Sequence, residues 1–360
     1  MIYLDYQATT PLAPEAREAM LRWLGGAGSD SFGNPHSPHR MGRMAAAAVE
    51  QAREQVAALF PPGGRVIFAS GATEAINLAI RGSGAGAGGA IAVSAVEHAA
   101  VLDTAAALGE GHVLGVDGAG ICDPAQGLPE ATQLVCVMQV NNEIGTVQPV
   151  AEWAARASSA GALFLCDAVQ AYGKLPLASA DMIAISAHKI YGPKGVGALW
   201  LRDGLQLAEQ QTGGGQEGGL RSGTLSPALV AGFGAAAALA QARMEEDAAH
   251  VEMLWHRARE LFSGWVINGS EQARWPGNLN IRKDGLDVAR LMSDCRTVMF
   301  SAGSACASGS GRPSHVLKAI GLSDSQAKNS IRLGFGRYTV LDEIERAAQA
   351  INAAAQEQGV

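Results

Sequence analysis

Short apolar runs alternate with alanine-rich stretches of helical period along most of this chain. Val66-Ile67-Phe68-Ala69, Leu163-Phe164-Leu165-Cys166 and Met182-Ile183-Ala184-Ile185 have the length and composition of buried strands, as do residues 90–94 and 134–140. A further strand is expected near 112–116. Between these runs, helices are expected over 14–24, 44–60, 74–81, 99–108 and 150–160, the first opened by Pro14. This alternation predicts an α/β fold in which helices cover both faces of a parallel or mixed sheet. The later part reads as an alanine-rich helix over 227–244 and a second helix over 247–262 that carries the chain into another domain. Strands over 278–282 and 330–334 and helices over 286–293 and 340–355 complete it, with no internal repeat.

Polar residues cluster where the predicted strands end. His98, Asn142, Asp167, Gln170, Ser186 and His188 all follow the C-terminal ends of candidate strands. Open α/β sheets bind ligands there. Ser70-Gly71-Ala72-Thr73-Glu74 joins a strand to a helix, so unpaired N–H groups and the helix dipole make an anion site. Thr73 suits either a helix cap or a phosphate ligand. In Ser186-Ala187-His188-Lys189-Ile190-Tyr191-Gly192-Pro193-Lys194-Gly195, a lysine stands just after a strand and just before a Gly-Pro turn. Lys189 is then either a surface lysine or a buried amine that forms a Schiff base with a carbonyl cofactor.

Two motifs lose weight on inspection. Residues 84–89 match GxGxxG in form, yet a helix precedes them and a strand follows, the reverse of a dinucleotide site. His36 and His39 have no acidic or thiol partners nearby, so their segment is a loop and no metal site is expected. Of five cysteines, none forms a CxxC pair, and Cys136 and Cys166 lie in apolar runs that suit packing. This usage fits free thiols in a cytoplasmic protein. Cys306 differs: it stands in the glycine- and serine-rich stretch 301–313, whose composition suits an exposed, mobile loop. A nucleophile is favoured there over an incidental thiol.

Composition narrows the function further. A chain of 360 residues with 48% hydrophobic and 17% charged residues can bury a large core, divided between two domains. A net charge of −7 disfavours nucleic-acid binding through bulk electrostatics. No stretch reaches the roughly 20 apolar residues of a membrane helix, and the N-terminus has no signal-peptide pattern.

Several motifs in order resemble the pyridoxal-phosphate-dependent cysteine desulfurases of the NifS/IscS type, in the class V aminotransferase group of fold type I. They are Phe32-Gly33-Asn34-Pro35, Ser70-Gly71-Ala72-Thr73-Glu74, Glu97-His98, Asn141-Asn142-Glu143-Ile144-Gly145, Asp167 with Gln170, His188-Lys189, Arg221-Ser222-Gly223-Thr224 and Gly303-Ser304-Ala305-Cys306. The resemblance implies a large domain over 14–247, with a mainly parallel seven-stranded sheet between helices, and a smaller α+β domain from 1–13 and 248–360 carrying the cysteine loop. It implies that Lys189 holds the cofactor, Asp167 pairs with its pyridine nitrogen, and His98 stacks on its ring with an acid–base role. Gln170 and Asn142 would bond the ring oxygen and the substrate adduct. Ala72, Thr73, Ser186 and His188 would hold the phosphate, joined by Thr224 from the neighbouring subunit of a homodimer. Arg332, assisted by Asn34 and Asn142, would clamp the carboxylate of L-cysteine, and Cys306 would accept its sulfur and pass it to an acceptor protein.

The same resemblance leaves alternatives: a selenocysteine lyase, another class V aminotransferase, or a pyridoxal-binding sulfur-relay scaffold of low turnover. Two departures stand out. Ala187 occupies a position where the family often has Gly, tolerable if its φ is negative. The chain ends at Val360 without the longer tail by which housekeeping IscS-type members dock their scaffold, so a NifS-like or specialised role is expected.

Overall fold

The computed structural model describes residues 1–86, 88–109, 111–303 and 313–360. Its centre is a seven-stranded sheet in the order Gly64–Ala69, Gly197–Arg202, Met182–Ser186, Leu163–Asp167, Thr132–Cys136, Ala90–Ser94, Gly111–Leu114. Every pairing is parallel except the two made by Gly197–Arg202, which runs antiparallel to both neighbours. That strand is absent from the sequence-based prediction.

The central strands are mainly apolar because both faces are covered, while the edge strand Gly111–Leu114 is largely exposed. Val66 and Phe68 point to one core with Trp153, Phe233 and Val49, so helices Val150–Ser159, Pro227–Leu261 and Arg40–Ala57 cover that face. Ile67 and Ala69 alternate to the other, with Ile76 and Val101 of helices Ala72–Gly82 and Ala99–Ala107. A one-residue slip in register would exchange the two sets, so the pleat is fixed from both sides.

Residues expected as a single strand over 134–140 leave the sheet after Cys136. Val140 instead bridges Val147, and Asn141 closes the turn by accepting the N–H groups of Glu143 (2.8 Å) and Ile144 (2.9 Å). The break expected between 244 and 247 does not occur. Pro227–Leu261 is one helix of 35 residues, opened by proline in its first turn and by Ser226, whose Oγ accepts the Leu229 N–H. The turn where the two helices were expected to part stays helical, and Arg243 pairs there with Glu246 and Asp247 at helical spacing. The expected domain boundary at 247–248 thus lies inside a continuous helix.

A second, antiparallel sheet contains Ser301–Ala302, Ser330–Gly334, Asn278–Arg282 and Val266–Ile267 in that order. The strand Ile2–Tyr3 pairs with Val298–Met299, and Asp5 bridges Gly334. The N-terminal segment then crosses to the turn after the interior strand Met182–Ser186: Thr10 N–H donates to His188 O (3.0 Å) and Ala13 N–H to Tyr191 O (2.9 Å). No described helix is long and apolar enough to cross a membrane.

Candidate active site

A cavity of about 570 Å³ opens at the C-terminal ends of the central strands. His98, Asn142, Asp167, Gln170, Ser186, His188 and Lys189 line it, as the strand-end pattern predicts. Ala72, Thr73 and Arg332 complete the predicted set within it. Two predicted residues lie elsewhere: Thr224 is exposed, and so is Asn34, whose Oδ1 accepts the His36 N–H at 2.9 Å. Cys306 lies outside the described residues.

The anion end is built by glycine. Gly71, not Thr73, caps the helix Ala72–Gly82, with no side-chain cap bond. Thr73 sits inside the first turn, so its hydroxyl is not a cap. The N–H groups of Ala72, Thr73 and Glu74 precede the first intrahelical bond, from Ala75 N–H to Gly71 O (3.1 Å), and these are the donors such a terminus offers an anion. Gly197 makes the approach possible: a Cβ there would lie 2.7 Å from Gly71 Cα and 2.6 Å from Ile185 O. Beneath the first turn, Glu74 accepts Ser70 N–H (2.7 Å) and Arg221 Nε–H (2.6 Å), tying the glycine-rich 213–224 loop to this end. Burial opposes charge on Glu74, but its Arg221 and Ser70 bonds outweigh that and hold its carboxyl below the usual value.

The lysine turn is short and stitched. Met182–Ser186 ends in a single 3₁₀ turn, Ala187–Lys189. Ala187 is fully buried and is not among the residues of positive φ, so its methyl group costs no backbone strain. Gly192 accommodates it: a Cβ there would lie 3.0 Å from Ala187 Cβ. Lys189 Nζ donates to the carbonyls of Gln7 and, at 2.8 Å, Ala8. His188 Nδ1 lies 3.1 Å from Thr9 Oγ1. Burial, then Lys189, Lys194 and Lys174, push the His188 imidazole down to about 4, so it is neutral at pH 7. Gln7, Ala8 and Lys194 line the cavity and escaped the sequence reading; the polar stretch at 7–10, just after an apolar start, was the available signal.

Across the cavity, His98 caps the helix Ala99–Ala107. Its Nδ1 accepts the Ala100 N–H (3.1 Å), which places the proton of the neutral ring on Nε2. Asp167 is buried, and its Oδ1 accepts the Val169 N–H at 2.9 Å. Burial raises its carboxyl above the ordinary value, opposed by His98, the Val169 N–H and Lys189. A cationic N–H bound in the cavity would offset that burial cost and favour the carboxylate.

Arg332 is completely buried. Its Nη2 meets Asp5 Oδ1 at 2.8 Å, and Nη1 donates to Asn142 O at 3.0 Å. Its Nε has no hydrogen-bond partner among the described residues. A buried guanidinium with an unspent donor on a cavity wall suits a bound carboxylate.

The described cysteines differ from any nucleophile. Cys122, Cys136, Cys166 and Cys295 are all buried free thiols. Burial pushes Cys122 up to about 12 and raises the other three as well.

Comparison with known proteins agrees with this geometry. The aminotransferase class-V family profile matches residues 2–347. A cysteine desulfurase IscS of an Anaeromyxobacter species is 41% identical, over 97% of this chain and 91% of that protein. A mitosomal cysteine desulfurase of Encephalitozoon cuniculi is also 41% identical, over 96% of this chain and 84% of that protein. Among solved structures, a NifS-like protein superposes with a TM-score of 0.89 at 29% identity, covering 99% of both chains.

Proposed function

Because the chain belongs to the class V aminotransferase family and is a pyridoxal-phosphate-dependent cysteine desulfurase, we propose that Lys189, His98, Arg332 and Cys306 carry its reaction on L-cysteine. The donor set supports the fit of the cofactor. An anion site at a glycine-capped helix, a buried carboxylate and a buried-side lysine line one cavity. When bound, pyridoxal phosphate supplies a carbonyl for covalent capture of amines and a ring that withdraws electrons from the substrate Cα.

The chain's own residues divide the remaining work. The Ala72 and Thr73 N–H groups, with Ser186 and neutral His188, hold the phosphate. Asp167 keeps a proton on the pyridine nitrogen, and Gln170 donates to the ring oxygen. Arg332, with Asn142 beside it, clamps the substrate carboxylate. Lys189 would hold the cofactor and accept the Cα proton of L-cysteine, while His98 would present its Nε2 proton toward the ring. The Cys306 thiolate attacks the substrate sulfur: an S–S bond forms, the C–S bond breaks, and its electron pair remains on carbon. Protonation of that carbon and return of a proton to Cα give L-alanine and leave a persulfide on Cys306. The four described cysteines, buried and protonated, support Cys306 in this role.

The persulfide passes to an acceptor protein, for iron–sulfur cluster assembly or for tRNA or cofactor thiolation. The enzyme works as a cytoplasmic homodimer in which exposed Thr224 reaches the phosphate of the partner subunit, and Asn34 assists Arg332. The large domain spans 14–247, and 1–13 with 248–360 form the smaller one. The observation that carries the proposal is the convergence of Lys189, Asp167, His98 and Arg332 on one cavity. Alanine release from L-cysteine with a thiol reductant, compared between native protein and Cys306→Ala, tests it. Near-total loss in the variant is expected; undiminished release would remove Cys306 from the mechanism.

A further inference from the structure

Gln170 stands on the turn after Leu163–Asp167 and lines the cavity, and its amide is held at both ends. Lys174 Nζ donates to its Oε1 at 3.3 Å, while its Nε2 donates to Gln7 O at 3.1 Å. A peptide carbonyl only accepts, so a flipped amide would lose the Gln7 bond, and with Lys174 charged it would lose both. The unflipped amide keeps one further N–H for an acceptor in the cavity. A flipped one would turn a carbonyl oxygen toward it.

Lys174 is an unexpected group to find there. It does not line the active-site cavity but a narrow one behind it, shared with Gln7, Tyr191 and Trp275. Its Nζ lies 5.9 Å from the Trp275 ring centre. No described carboxylate forms an ion pair with it; Asp247, on the same small cavity, is taken by Arg337 and Arg243. Burial, with the nearby charge of Lys189, pushes its ammonium down to about 7. A cation placed at such cost, and spent on one neutral amide, calls for a reason beyond packing.

We propose that Lys174 is a positioning residue that fixes the Gln170 amide with its N–H toward the cavity, so that Gln170 donates to an anionic oxygen of the bound cofactor. The inference rests on the reading of Gln170 as a cofactor ligand. It is tested by titrating apoprotein with pyridoxal 5′-phosphate and following its visible absorption. Lys174→Met keeps the stem and removes the donor; Lys174→Gln is the alternative should circular dichroism show that Lys174→Met has not folded. Either is expected to weaken the dissociation constant roughly fivefold to tenfold, the worth of one hydrogen bond, and to shift the absorption of the bound cofactor. Lys174→Arg, which keeps a donor, is expected to restore most of both. In a Gln170→Ala background the Lys174 change is expected to add nothing. Binding within twofold of native with unchanged absorption would overturn the proposal, as would losses that multiply in the double variant. Native binding with an unaffected Gln170→Ala variant would overturn the ligand role of Gln170 and the proposal with it, leaving the rest of the site reading intact. Failure of the native apoprotein to take up the cofactor would overturn the reading of the whole site.

Discussion

Replacing Arg332 by lysine asks whether the buried guanidinium reads the substrate carboxylate. The guanidinium is entirely inaccessible, and three of its contacts are visible: Asp5 Oδ1 (2.8 Å), Asn142 O (3.0 Å) and Ser301 Oγ (3.4 Å). An ammonium can keep the charge opposite Asp5 and one of the two neutral contacts, so the fold should lose only about 1–2 kcal/mol. What it cannot keep is a planar edge with a spare N–H, the group that Nε now holds without a partner. Losing one charge-assisted hydrogen bond to a carboxylate costs about 1.5–3 kcal/mol. The expected result is kcat/KM for L-cysteine lower by roughly 10-fold to 150-fold. The assay is alanine formation against L-cysteine concentration, with cysteine amide as a poor substrate that lacks the anion. The variant and the native protein should converge on cysteine amide. A kcat/KM on L-cysteine within twofold of native, in a folded variant, would refute the clamp, and so would an equal loss on both substrates.

Two other substitutions probe the frame of the site. Gly197→Ala puts a methyl group within 2.7 Å of Gly71 Cα and 2.6 Å of Ile185 O, all backbone, so about 1–3 kcal/mol of strain is expected; thermal unfolding should fall by several degrees with cofactor affinity, and unchanged values of both would contradict the close approach. His188→Gln should flatten the acid side of the apoprotein's stability profile. Because the folded imidazole is pushed from 6.5 down to about 4, the unfolded chain binds a proton in that window that the native site refuses, and stability falls as pH drops from 6.5 to 4. After allowance for solvent screening the slope is worth roughly 1–2 kcal/mol, and urea unfolding at several pH values would expose a variant whose slope stays native-like.

Much of the site was legible because α/β sheets place ligands at strand ends, and the strands here are marked by uninterrupted apolar runs. Asp167, Ser186 and Lys189 follow such runs directly, so chain order alone assembled them. Gln7 and Ala8 were not legible: their carbonyls hold an amine 182 and 181 residues away, and no local pattern reports a backbone acceptor. The strand Gly197–Arg202 was masked by its position just past the Gly-Pro-Lys-Gly turn, although Ala198-Leu199-Trp200-Leu201 is as apolar as its neighbours. Thr73 suited either a cap or a phosphate ligand by residue type alone, whereas the helix begins one residue after Gly71, whose backbone packs so closely on position 197 that only glycine fits at 197. The helices expected over 227–244 and 247–262 are one helix: the alanine-rich pattern ends near 244 while the helix does not.

The central claim, that Cys306 takes sulfur from a substrate held by Lys189 and Arg332, is met most directly by a single turnover. Holoenzyme mixed with one equivalent of L-cysteine, without reductant, is digested under acid and its peptides weighed by mass spectrometry while alanine is counted. The account predicts one added sulfur on the peptide carrying Cys306 for each alanine formed. Alanine accompanied by released sulfide and an unmodified Cys306, or sulfur found on one of the buried cysteines, would contradict it.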